Sequence, residues 1–322
     1  MDIDGVFSGG GIKGLALIGA YQALEEKGYK FKRLAGTSAG AVIAAFIAAG
    51  YSSRELLKIM DDIEISELLD SNAIISLPII KWFRVYYRLG LYKGVALESW
   101  VEEKLKARGI YTFADLPPQS LRVIASDLSN GRLLVLPDDL EKYGIAKETF
   151  PVARAIRMSA SLPYFFEPVK LRSLEGISFM VDGGVLNPLP IIPTVAAHAD
   201  LIIAVDLNAR DPKHEALNLP DNAYLNRSGV SDSWRLDSVS AAGNTNGNGN
   251  GHASNDAEGR KREPPRVGGR IDVLLDSVEV MQGSLSQYKI AGYPPDLVVP
   301  IPHDLCHFFE FYRAEEVIEV GR

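Results

Sequence analysis

Residues 1–50 read MDIDGVFSGGGIKGLALIGAYQALEEKGYKFKRLAGTSAGAVIAAFIAAG, and this stretch decides the fold class. Residues 3–7 are a short apolar run that stops at Ser8 and three consecutive glycines, the pattern of a buried strand ending in a tight turn. From Lys13 to Lys27 the apolar positions Leu15, Leu17, Ile18, Tyr21, Ala23 and Leu24 share a helical face, and Gly28 supplies a stop. The pattern then repeats, with a strand over 31–35, a glycine-flanked turn over 36–40 and a helix over 39–49 closed by Gly50. Two strand-helix units in fifty residues predict a mainly parallel sheet covered by helices, an α/β fold.

Outward from that stretch, helical patterns recur over 53–60, 97–108, 271–290 and 307–320. Residues 121–126 and 132–136, joined across Ser129, Asn130 and Gly131, predict a β-hairpin, and strand-like runs follow at 177–181, 201–207 and 297–301. Residues 211–269 break the pattern, because NTNGNGNGHASNDAEGRKREPPRVGG and its polar approaches carry too few aliphatics to offset chain entropy. The expectation is a single domain over 1–322 with a mobile surface insertion at 211–269, leaving about 260 residues for the α/β unit.

Composition narrows the function classes. Of 322 residues, 47% are hydrophobic and 23% charged, which fits a soluble globular chain and excludes collagenous or disordered ones. With 34 basic against 41 acidic residues the net charge is -7, so nucleic acid is not an expected partner. The lone Cys306 can form no intramolecular disulfide and no cysteine-rich metal cluster, and no metal or cofactor is expected. The acidic N-terminus is unlike a secretory signal, and the apolar run 39–49 is about half of what crosses a bilayer, so a cytoplasmic location is expected.

Gly36-Thr37-Ser38-Ala39-Gly40 is G-x-S-x-G set between a predicted strand and a predicted helix. A nucleophilic serine needs that setting. The sharp turn lifts the hydroxyl clear of the sheet, Gly36 and Gly40 allow close backbone approach, and the helix dipole faces developing negative charge. The simpler reading is a glycine turn with a helix-capping serine. The earlier turn, Ser8 to Gly14, satisfies G-x-G-x-x-G through Gly9, Gly11 and Gly14, but no acid stands about twenty residues on to hold a ribose. Gly9, Gly10 and Gly11 can instead present backbone N–H groups to an oxyanion, with Lys13 as added positive charge or as a solvated helix residue. A base for Ser38 could come from His198, His214, His252, His303 or His307, or from Asp182, which follows an apolar strand and precedes Gly183 and Gly184. Taken alone, Asp-Gly-Gly is more simply an Asx turn.

GGGIKG, GTSAG, SASLPYFFEPV at 159–169 and DGGVLNP at 182–188 together, in that order, resemble the patatin-like phospholipase family. The resemblance implies a three-layer α/β/α fold, a Ser-Asp dyad in place of a triad, Ser38 as nucleophile, Asp182 as base and Gly9, Gly10 and Gly11 as oxyanion loop. It implies hydrolysis of (phospho)lipid esters through an acyl-enzyme. A short-chain esterase, thioesterase or acyltransferase with the same dyad, or a non-catalytic nucleotide- or membrane-binding protein, are the alternatives.

Residues 74–94, IISLPIIKWFRVYYRLGLYKG, hold Trp82, Phe83, Tyr86 and Tyr87 among Lys81, Arg84, Arg88 and Lys93. In a helix, Lys81, Arg84 and Arg88 share one face, so the segment reads either as a membrane-facing helix that meets anionic lipid or as a core-packed helix with solvated cations.

Overall fold

The computed structural model describes residues 3–62, 89–173, 176–192, 199–209, 270–303, 305–306 and 313–322. The basic aromatic segment with Lys81, Trp82, Arg84 and Arg88, the 211–269 insertion, and His198, His214, His252 and His307 lie outside these residues.

The strands are β1 (Ile3–Phe7), β2 (Phe31–Thr37), β3 (Gly90–Tyr92), β4 (Leu121–Asp127), β5 (Arg132–Leu136), β6 (Tyr164–Phe166), β7 (Val169–Ser173), β8 (Gly176–Asp182), β9 (Leu201–Ala209) and β10 (Leu297–Pro302). The helices are α1 (Leu15–Glu26), α2 (Ala39–Ala48), α3 (Ser53–Asp61), α4 (Val95–Lys106), α5 (Val152–Ser159), α6 (Arg270–Gly292) and α7 (Ala314–Gly321). β10, β9, β1, β2 and β4 run parallel, and β5, β7 and β8 add antiparallel pairings at the β4 side. β3 and β6 form a separate two-stranded ribbon.

Alternation along the central strands produces the layers. Phe7, Val205 and Leu207 enter the main core with Leu17 of α1 and Phe46 of α2. Val6, Ile202 and Ala204 point to the other face, where Leu189 and Ile191 cover them and Ile290 of α6 packs. The fold is therefore a three-layer α/β/α sandwich around a mainly parallel sheet. The hairpin of β4 and β5 stands where the sequence predicts it. Absent from the sequence reading are α5, β7 and the short β3 and β6. A strand of three residues has too little pattern to announce itself and exists only through its pairing.

Candidate active site

Topology brings Ser38 and Asp182 together across 144 positions of sequence. β2 pairs in parallel with β4 as far as Thr37 opposite Ile124, while β8 runs antiparallel to β4 and reaches Asp182 opposite Ala125. β5 occupies the other edge of β4 over 123–127, so β2 and β8 share one edge and run toward each other. Their C-terminal ends meet at consecutive positions of β4. Gly183 completes the approach, since a side chain there would strike the Ile124 carbonyl.

Ser38 has φ 55 and ψ -121, a conformation that L residues rarely adopt and that turns the strand sharply into α2. Gly40 is required at this turn because a Cβ would collide with the carbonyl oxygens of Phe7 and Ser8, and Gly36 packs as tightly against Gly40. Ser38 stands at the helix-cap position, yet its hydroxyl caps nothing. It donates to Asp182 Oδ2 at 2.6 Å. The second carboxylate oxygen, Oδ1, accepts from the Gly184 N–H at 2.7 Å. The Asp182 side chain is 1% exposed, and burial pushes its carboxyl up to about 6 despite the opposing hydrogen bonds from Ser38 and Gly184.

The glycine turn lies against this elbow, with a Cβ on Gly9 falling 3.3 Å from Ser38 Cβ and one on Gly14 falling 2.6 Å from Ala39 Cβ. Gly11 holds φ 58. Here the expectation for the oxyanion loop is corrected at one residue. The Gly9 N–H donates to the Pro188 carbonyl at 2.9 Å and its carbonyl accepts from Asn208 Nδ2 at 2.9 Å, so Gly9 shapes the turn and has no donor to spare. The N–H groups of Gly10 and Gly11 have no partner among the described residues, and both glycines line the cavity next to Ser38. Lys13 is neither solvated nor aimed at Ser38. It is 2% exposed, pairs with Glu279 of α6 and donates to the His303 carbonyl at 3.1 Å. His303 itself is exposed and lies outside the cavity.

A family model described as patatin-like phospholipase matches residues 5–195, a span that begins in β1 and contains the glycine turn, Ser38 and Asp182. The chain belongs to the patatin-like phospholipase family. With that membership it is a lipid hydrolase by class. Among relatives, it is 52% identical over 220 residues to the uncharacterized protein YqhO of Bacillus subtilis, covering 68% of this chain and 76% of that one. It is 30% identical over 347 residues to the uncharacterized NTE family protein Rv1063c of Mycobacterium tuberculosis, covering 97% and 87%. The solved structure of VipD from Legionella pneumophila is similar at a TM-score of 0.41 and 17% identity, covering 67% of this chain and 52% of that one. The chain thus spans about half the length of that solved chain.

In this patatin-like phospholipase Ser38 and Asp182 open onto a cavity of ≈ 290 Å³ walled by Ile12, Val42, Leu97, Trp100, Phe165 and Phe166. A mostly apolar wall with a few convergent polar groups suits an acyl chain and an ester at its end. The sequence reading missed the residues that hold Ser38 and Asp182 in place. Ser159, at the end of α5, accepts the Ser38 N–H at 2.9 Å, and the Ser161 carbonyl accepts the Asp182 N–H at 2.9 Å. Arg157, 3% exposed, binds the Ser161 hydroxyl, the Lys93 carbonyl and, at 2.8 Å, the Glu167 carbonyl. The block SASLPYFFEPV carries Ser159, Ser161 and Glu167, and Arg157 stands just before it, but nothing in its composition assigns them their partners.

Proposed function

We propose that the chain cleaves carboxylic esters of lipids through a Ser38-Asp182 dyad. Ser38 Oγ attacks the ester carbonyl carbon while its proton passes to Asp182 Oδ2. The tetrahedral oxyanion takes hydrogen bonds from the N–H groups of Gly10 and Gly11 at the N-terminal side of the site. On collapse the bond to the alcohol oxygen breaks, Asp182 returns the proton to that oxygen, and acyl-Ser38 remains. Water then attacks the acyl-enzyme, leaves a proton on Asp182 and releases the fatty acid, after which Ser38 is reprotonated.

The observation that carries this reading is the 2.6 Å hydrogen bond from a strained, non-capping serine to a buried carboxylate at the edge of an apolar cavity. An ordinary aspartate is too weak a base for serine at neutral pH, and burial corrects that by raising its proton affinity. Ser38→Ala and Asp182→Asn are each expected to lower hydrolysis of a lipid-ester panel by about 10³-fold or more while far-UV circular dichroism is unchanged. A fluorophosphonate probe should label Ser38 in the unaltered protein. Near-normal turnover by Asp182→Asn would return the role of base to a histidine.

A further inference from the structure

The segment matched by the family ends at residue 195, yet one wall of the cavity comes from α6, which begins at Arg270. Besides the apolar Val278 and Ile290, which pack on the core, this helix turns polar residues inward. Gln282 and Ser286 are buried and Glu279 is half-buried, the three spaced three and four apart and hence on one face, whereas Val280, Met281 and Tyr288 are exposed. A helix that buries its polar stripe needs a reason, because each buried polar group costs free energy unless it finds a partner. Glu279 has Lys13. Gln282 is 7% exposed, lines the cavity with Ser38 and Asp182, and has no hydrogen-bond partner for its carboxamide among the described residues.

Its place relative to the dyad is fixed by Gly184. A side chain at Gly184 would collide with Gln282 Nε2 and stand 3.0 Å from Asp182 Oδ1, so the carboxamide and the carboxylate flank one point of the backbone. In ester cleavage the proton held by Asp182 is delivered to the departing alcohol oxygen, which places the alcohol half of the ester on the Asp182 side and not beside Gly10 and Gly11. Gln282 therefore borders the alcohol half.

Resting on the reading of the dyad given above, we propose that Gln282 orients the substrate, its Nε2 donating to an oxygen adjacent to the scissile ester in a glycerol-type alcohol. A carboxamide with no partner among the described residues, in a mostly apolar wall, rejects alcohols that leave it unpaired and favours those that pair with it.

The test compares a monoacylglycerol with the propyl ester of the same fatty acid, in the unaltered protein and in Gln282→Met, which keeps length and volume but cannot donate. The expected result is a fall of at least tenfold in kcat/KM on the monoacylglycerol, with less than a threefold change on the propyl ester. Gln282→Glu, a second near-isostere, should lose the same selectivity and also move the acid limb of the pH profile upward, because it sets a second carboxylate beside Asp182. Equal losses on both esters, or no loss on either, would overturn the proposal. If the unaltered protein cleaves neither ester, or Ser38→Ala cleaves them as well as it does, the dyad reading falls and Gln282 with it. Activity on both with an unchanged ratio in Gln282→Met removes Gln282 alone.

Discussion

Asp182 bears two opposed demands. Raising a carboxyl from 3.8 to about 6 by burial corresponds to a cost on the order of 3 kcal/mol once the group is ionised. Below about pH 3 the group is protonated in both folded and unfolded chains and costs nothing. As pH rises from there through about 6, the unfolded chain ionises first, and the folded state loses stability until both are ionised. Asp182→Asn is therefore expected to stabilise the protein by about 1–3 kcal/mol at pH 8 and by almost nothing at about pH 3, as urea midpoints at the two values would report. The same ionisation should appear as an acid limb near pH 6 in kcat/KM of the unaltered protein, since only the carboxylate accepts the Ser38 proton. Equal stability of the variant at pH 8 would contradict the buried charge. Ser38 is legible in the sequence because it ends a strand in a glycine-bounded turn before a helix, whereas Asp182, whose Asp-Gly-Gly alone reads as an Asx turn, is picked out only by the resemblance. Ser159 and Gln282 are not legible, because a serine closing a helix and a glutamine inside one carry no pattern of their own.

At the scale of elements, the strand-helix repeat of the first fifty residues is legible because periodicity and glycine stops are local properties. The packing of α1 on α7 is not. A Cβ on Gly19 would strike the Ile318 carbonyl, and one on Gly321 would strike the Ala16 carbonyl, so the two helices touch backbone to backbone. In a free helix, Gly19→Ala would add about 0.5–1 kcal/mol of stability. Here it is expected to remove about 1–3 kcal/mol, because the added methyl has no room and the helices must part. The sign of the change in thermal or urea unfolding decides the matter. α5 escaped notice in the sequence because its eight residues, VARAIRMS, are interrupted by two arginines. Arg157 is in fact buried, with its charge met by carbonyl oxygens, a solution available only after Lys93 and Glu167 have been folded around it.

For the whole molecule, elements on both sides of residues 210–269 complete one structure: β10 pairs with β9, α6 packs on the face bearing Val6 and Ile202, and α7 lies on α1. A single domain is accordingly proposed, and its unfolding followed by near-UV and far-UV circular dichroism should be one coincident transition. Two separable transitions would divide the chain. The sequence by itself determined the class of fold and the serine of the elbow, because turn chemistry and hydrophobic periodicity act over a few residues, whereas Asp182 is singled out only by the order of the four family-like blocks. The tertiary structure supplies the physical reason that Ser38 and Asp182 meet, which the resemblance implied without explaining. That depends on β2 and β8 ending head to head on one edge of β4, a matter of register between strands 144 residues apart at their tips. It also decided which glycines keep a free N–H, where Lys13 finds its counter-charge and which helix closes the cavity, since each of these is settled by a partner far along the chain.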